Sequence, residues 1–247
     1  MGMPRVLLVE DDPSVRRFVA MALDDADIEL VQRDSVEGAF GYLAAQPVDL
    51  VLTDLMLLDG SALRLVEWLA QSAACRVAVF SAGVTPEVQR RLEACRVWRI
   101  LRKPVSLAQL HACVAEGTQL PAAAPATAAA ESVPGVSARE TYAAERYFDG
   151  NTALFSTYAA GCREQFARDV LAGDRAWLGD DLAELRRLAH SLKTVLLMLG
   201  YDHEASMARM LDEAAAVDDG QEAYRLWDLL RNALKKIASP LSVAQAA

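Results

Sequence analysis

The residues best placed to do chemistry are the carboxylates Glu10, Asp11, Asp12 and Asp54, the hydroxyl of Ser81, the ammonium of Lys103 and, far along the chain, the imidazole of His190. Carboxylates brought together repel one another, and a divalent cation relieves that repulsion; an all-oxygen ligand set suits Mg2+. A mobile lysine and a hydroxyl donor beside such a cation match the charge that develops on the equatorial oxygens in phosphoryl transfer, and a carboxylate can be the nucleophile. The question is whether the chain brings them together.

Five short β-rich runs, Arg5 to Glu10, Glu29 to Asp34, Asp49 to Thr53, Val77 to Ser81 and Val97 to Leu101, alternate with helical patterns over the first half of the chain. Such alternation implies a parallel α/β sheet. The run Val48-Asp49-Leu50-Val51-Leu52 has little alternation, as expected of a strand covered on both faces. In open parallel sheets the functional crevice lies at the carboxyl ends of the strands. Glu10, Asp11 and Asp12 end the first run, Asp54 the third and Ser81 the fourth, and Lys103-Pro104 follows the fifth. Asp12 before Pro13 has the pattern of a helix start, which makes Asp12 a candidate cap.

The chain has 247 residues, 53% of them hydrophobic, with 25 basic and 34 acidic side chains and a net charge of −9. That length supports two ordinary cores, and that composition excludes disorder of the whole chain. An acidic chain offers no general field for nucleic acid, so no nucleic-acid partner is expected. The apolar runs, such as Val6 to Val9 and Thr194 to Leu199, are far shorter than the roughly 20 residues of a membrane helix, so no membrane insertion is expected. Met1 to Arg5 lead straight into a strand without the pattern of an export signal, and a cytoplasmic location is expected. Cys75, Cys95, Cys113 and Cys162 lack metal or redox spacing and read as reduced, packed thiols.

Residues 119–137 are rich in alanine and proline and form a linker between residues 1–118 and residues 138–247. A flexible chain of that length spans about 25 Å. Beyond it the sequence is helical throughout, with breaks expected at Phe148 to Asn151, Ala172 to Asp174, Gly179-Asp180, Gly200 to Asp202 and Asp218 to Gly220. Four or five helices with short turns make an all-α bundle.

One of those helices carries His190. Asp181 and Glu184 have capping spacing, and Gly200 is a suitable stop. Leu185, Leu188, Leu192, Val195, Leu196 and Leu199 share a face about 100° wide, and His190 points away from it. Arg186, Arg187, Lys193 and Thr194 surround the histidine, with Leu197 exposed on the same side. Such a basic collar favours the neutral, nucleophilic imidazole and would attract a phosphoryl group. His111 and His203 have no convergent polar partners and carry no chemical role.

Residues 4–118 resemble the receiver domain of bacterial response regulators, on Val6 to Asp12, Asp54 to Ser61, Ser81-Ala82 and Lys103-Pro104. The resemblance implies a flavodoxin-like fold in which Asp54 accepts a phosphoryl group from a phosphohistidine. It implies Mg2+ held by Glu10, Asp11, Asp54 and the Met56 carbonyl, with Ser81 and Lys103 on the phosphoryl oxygens. Three positions depart from the family pattern. Leu58 stands for the usual proline, Ala62 for a glycine, and Ile100 for the aromatic residue that turns inward on activation, so phosphate acceptance is expected to survive better than surface switching. Trp98 lies on the same face of the strand as Ile100 but two residues away.

The second half resembles the histidine-containing phosphotransfer (HPt) domain, a four-helix bundle, on His190-x-Leu192-Lys193 and Leu199-Gly200. That implies phosphorylation of His190 with electrostatic help from Lys193. Thr194 replaces the family's glycine four residues on, where it either crowds an incoming receiver or donates to the phosphoryl group. The combined expectation is a two-component phosphorelay protein without its own kinase. A sensor histidine kinase supplies phosphate, and another response-regulator receiver, upstream or downstream, exchanges it with His190. The alternative is a non-catalytic interaction module whose bundle binds a signalling partner.

Overall fold

The computed structural model describes residues 2–57, 60–72, 75–83, 85–119 and 137–239, with the side chain of Ser72 excepted. The elements in chain order are β1 (Arg5–Val9), α1 (Pro13–Ala22), β2 (Glu29–Arg33), α2 (Val36–Ala45), β3 (Leu50–Asp54), β4 (Met56–Leu57), β5 (Gly60–Ser61), α3 (Leu63–Ser72), β6 (Arg76–Ser81), α4 (Pro86–Ala94), β7 (Arg99–Arg102) and α5 (Leu107–Thr118), then the helices α6 (Ala138–Tyr147), α7 (Thr152–Leu178), α8 (Leu182–Met198), α9 (Asp202–Ala216) and α10 (Gly220–Ala238). The linker read at 119–137 lies, from 120 to 136, outside the described residues.

Five strands form one parallel sheet in the order β2-β1-β3-β6-β7, the doubly wound arrangement expected from the β/α alternation. Every residue of the central strand β3 is buried, as its unalternating apolar run requires. The ribbon of β4 and β5, which pairs Met56 with Ser61, was not foreseen; strands of two residues leave no periodic signal. Register levels the strand ends: Val9 pairs with Thr53, Asp54 with Phe80, and Ser81 with Arg102. Glu10 therefore comes out beside Asp54, with Ser81 one step and Lys103 two steps further along the same edge.

The helices α6 to α10 form the bundle-like second half. Its longest member, α7, runs unbroken through Ala172-Gly173-Asp174, where the sequence suggests a break. The glycine is used for close approach instead: a Cβ on Gly173 would sit 2.1 Å from the ring of Trp227, which is fully buried. The other four breaks are real turns, with Asp149, Gly150, Asp180, Gly200 and Asp218 at positive φ.

The chain divides into two compact units, one of residues 1–133 with 144–151 and the other of residues 134–143 with 152–247. Residues 144–151, read from sequence as part of the bundle, group with the first unit, where the buried rings of Phe148 and Phe18 meet edge-on at 5.4 Å. The four cysteines are free thiols. Among the described residues no helix is long and apolar enough to cross a membrane.

Candidate functional site

The loop after β1 carries two of the acidic residues. Glu10 is buried: its Oε2 accepts from Lys103 Nζ at 2.6 Å, and its Oε1 accepts from the Asp12 amide at 3.3 Å. Asp12 caps α1, its Oδ1 accepting from the Val15 amide at 2.7 Å with Pro13 in the first helical turn, as the Asp-Pro pattern implies. Asp12 is thereby committed to the helix, and Asp11 remains beside Glu10.

Asp54, at the end of β3, is also buried. Its Oδ1 accepts from the Leu55 amide at 2.6 Å and its Oδ2 from Lys103 Nζ at 2.9 Å. The lysine ammonium thus bridges Glu10 and Asp54 in a pocket where all three side chains are nearly inaccessible. Glu10, Asp11 and Asp54 each offer a carboxylate oxygen, and these oxygens lie within 4.8 Å of one another. The donor set is all oxygen and anionic, and a cationic ammonium already sits against two of its members; these residues fit a hard divalent ion such as Mg2+. Burial raises the Glu10 carboxyl to about 8, with Asp54 and Asp12 adding to the rise and Lys103 opposing it. Burial and then the charge of Asp54 raise Asp11 in the same sense. Burial alone would lower the Lys103 ammonium, but the carboxylates of Glu10 and Asp54 outweigh it and hold the lysine charged.

Ser81 is buried at the end of β6. Its carbonyl accepts from the Lys103 amide at 2.8 Å, and its Oγ accepts from the Gly83 amide at 3.1 Å. Met56 lies two residues beyond Asp54 at the start of the β4–β5 ribbon, with an exposed side chain. Ile100 is 40% exposed on the edge strand β7. Trp98 does not stand in for the missing ring: it stacks against the guanidinium groups of Arg99 (4.6 Å) and Arg76 (5.4 Å).

In the second unit the expectation about His190 needs correction. The core face of α8 is wider than the leucine pattern indicates, because α8 packs on α9, α7 and α10; Ala189, Thr194 and Met198 are buried as well, while Leu188 and Leu197 are only half-buried. Leu197 is therefore not an exposed apolar patch. His190 is 28% exposed and turned toward α9, not directly outward. Its Nδ1 lies 3.1 Å from Oδ2 of Asp212, a residue that the reading of α8 alone could not find because it sits on the next helix. Lys193 Nζ approaches the same Asp212 oxygen at 3.4 Å, and Arg186 Nε approaches the other at 3.3 Å. The basic collar is thus tied together by one carboxylate. Burial alone would raise Asp212, but the hydrogen bond and charge of His190, the charge of Lys193 and the bond from Arg186 overcome it and hold the carboxyl below the usual range.

A carboxylate only accepts, so a hydrogen bond across the 3.1 Å contact is donated by a protonated Nδ1, and in the neutral ring of that form the Nε2 lone pair is free. Thr194, one turn on, is 5% exposed and does not stand in the way of an approaching surface. Asp181 caps α8 by accepting from the Glu184 amide at 2.9 Å, and Gly200 ends it with φ +76°. His111 bonds the Ala22 carbonyl at 2.5 Å, a helix-to-helix tie.

Residues 6–115 match the family model described as the response regulator receiver domain. Over 121 residues the chain is 31% identical to the response regulator protein PilR of Pseudomonas aeruginosa, covering 49% of this chain and 27% of that one. Over 60 residues it is 38% identical to the response regulator receiver protein CpdR of Brucella abortus, covering 24% and 50% respectively. The chain thus spans from about a quarter to half the length of these curated relatives. A solved response regulator receiver protein from Pseudomonas putida is 28% identical, with a TM-score of 0.44 over 47% of this chain and 98% of that one. Residues 6–115 of this chain are a response regulator receiver domain of the two-component signalling type.

Proposed function

We propose that this chain is a cytoplasmic phosphorelay protein in which Asp54 receives phosphate from a sensor histidine kinase and exchanges it with His190, which in turn serves an external receiver. In this reading residues 1–118 are the receiver, 119–137 the linker and 138–247 an HPt-like bundle. The observation that carries it is the Lys103 ammonium held between Glu10 and Asp54 over an all-carboxylate floor.

In the first step the N–P bond of a donor phosphohistidine breaks and an O–P bond forms to Asp54, while the donor imidazole takes up a proton. Glu10, Asp11, Asp54 and the Met56 carbonyl would hold Mg2+, which when bound neutralises charge on the phosphoryl oxygens. Lys103 is already within reach of Asp54 and turns to the incoming phosphoryl group, and Ser81 presents its hydroxyl to the same group. The buried walls exclude water from the acyl phosphate.

Transfer to His190 reverses the chemistry at a second centre. Asp212 keeps the proton on Nδ1, so Nε2 attacks phosphorus as the O–P bond to an aspartate breaks. Lys193 then offers its positive charge to the new phosphoryl group. Incubation with a kinase donor and Mg2+ tests the scheme: Asp54→Asn abolishes receiver labelling, and acid-labile, base-stable phosphate appears on His190 of the native chain. Absence of phosphohistidine, together with tight partner binding by His190→Ala, would favour a non-catalytic interaction module instead.

A further inference from the structure

Arg16, in the first turn of α1, does more than continue the helix. Its amide donates to the Asp12 carbonyl at 2.9 Å. Its guanidinium Nη1 donates to the Glu10 carbonyl at 2.6 Å and the Asp11 carbonyl at 2.8 Å. One residue therefore bonds three consecutive carbonyls, those of the loop that carries two of the three clustered carboxylates. The contacts are partly buried, whereas the neighbouring Arg17 is exposed.

Glu10, Asp11 and Asp12 are three carboxyl groups in a row, and when ionised to receive a cation they repel one another, which favours opening of the loop. A planar guanidinium can satisfy two carbonyls at once from a fixed direction, which a flexible ammonium does poorly. We propose that Arg16 is a positioning residue for the cation site, holding the Glu10–Asp12 backbone so that the Glu10 and Asp11 carboxylates converge with Asp54. The inference rests on the reading of that acidic cluster as a Mg2+ site.

Two effects of Arg16 oppose each other, and their signs differ. As a partly solvated positive charge near the site it weakens cation binding a few-fold at most. As a clamp on the ligand loop it strengthens binding, and removing partners of metal ligands typically costs about 10- to 100-fold in affinity. The clamp dominates. It also favours the smaller ion, because Mg2+ requires near-octahedral oxygens at about 2.1 Å while Ca2+ accepts longer, looser ligation.

The test is calorimetric titration of the full chain with Mg2+ and with Ca2+, alongside Mn2+ titration followed by electron paramagnetic resonance. Arg16→Met is expected to weaken Mg2+ binding at least tenfold and Ca2+ binding less, so that the preference for Mg2+ falls. Arg16→Lys should recover part of the loss, and Arg17→Met should match the native chain. Tighter Mg2+ binding by Arg16→Met would overturn the inference, as would a lower melting temperature with an unchanged Mg2+/Ca2+ ratio. Should Arg16→Met fail to fold, Arg16→Lys decides, since an unchanged ratio there is equally contrary. A folded native chain that binds no Mg2+ removes the reading of the acidic site and this inference with it; native binding that Arg16→Met leaves unaltered removes this inference alone.

Discussion

Replacing Asp212 by asparagine keeps the side-chain volume and removes the acceptor that selects one form of the His190 ring. In the native chain Oδ2 lies 3.1 Å from Nδ1, while Lys193 and Arg186 hold the carboxylate at 3.4 and 3.3 Å. A hydrogen bond to an ionised group contributes about 1.5–3 kcal/mol. Each 1.36 kcal/mol is tenfold in rate, so losing it at the reacting ring should slow phosphoryl transfer to His190 by about 10- to 150-fold. Asparagine should be worse than alanine, because its amide can donate to Nδ1 and so favour the ring form whose Nε2 carries the proton. The assay is rapid-quench transfer from a phosphorylated receiver to the purified chain, with His190 phosphate quantified as the acid-labile fraction. Burial pushes the Asp212 carboxyl up, but His190, Lys193 and Arg186 overcome it and hold the group below its ordinary value. Its contribution to stability is therefore present above that ordinary value and is lost as pH falls through the lowered one. Thermal unfolding at neutral pH should show only a small loss for either variant. Native transfer rates in both variants, with the fold intact, would refute the role given to Asp212.

Gly173→Ala should lower the melting temperature of the bundle, since its Cβ would lie 2.1 Å from Trp227 and overpacking costs about 1–3 kcal/mol, more than the gain in helix propensity of about 1 kcal/mol. Gly41→Ala in α2 meets no atom within 4 Å and should stabilise by roughly 0.5–1 kcal/mol, which scanning calorimetry on both variants checks. Because the folded chain raises Glu10 to about 8, stability present below the ordinary carboxyl value is lost as pH rises through about 8. The metal-free receiver should therefore melt higher at pH 5.5 than at pH 8.5, with Mg2+ raising the melting temperature more at the higher pH. Lys103→Met should leave Glu10 and Asp54 buried without their shared cation, abolishing Asp54 phosphorylation and destabilising the metal-free receiver by about 3–5 kcal/mol, measured by denaturant titration at pH 7.5.

Much of the receiver was legible because its signals are local and repeated. Strand periods, strand ends and the Asp12-Pro13 cap each depend on a few neighbouring residues, and parallel register then aligns Glu10, Asp54, Ser81 and Lys103 along one edge. What stayed hidden depends on contacts between elements. Asp212 is 22 residues from His190 and meets it only because α8 and α9 are neighbours. The wide core face of α8 reflects burial by three helices, which no single-helix pattern contains. Gly173 has the composition of a break, yet it serves the Trp227 ring on another helix, and only packing distinguishes the two uses. Arg16 carries no motif; its role is visible once its guanidinium is seen on the carbonyls of residues 10 and 11.

The most direct test of the central claim is phosphosite mapping by mass spectrometry after incubation with a sensor kinase donor and Mg2+, under conditions that preserve phosphohistidine. Native chain, Asp54→Asn and His190→Gln are compared. The account predicts acyl phosphate on Asp54 and phosphohistidine on His190 in the native chain, loss of both in Asp54→Asn, and loss of the second alone in His190→Gln. Phosphohistidine on His190 at the native level in Asp54→Asn, or no phosphate on Asp54 of the native chain, would contradict it.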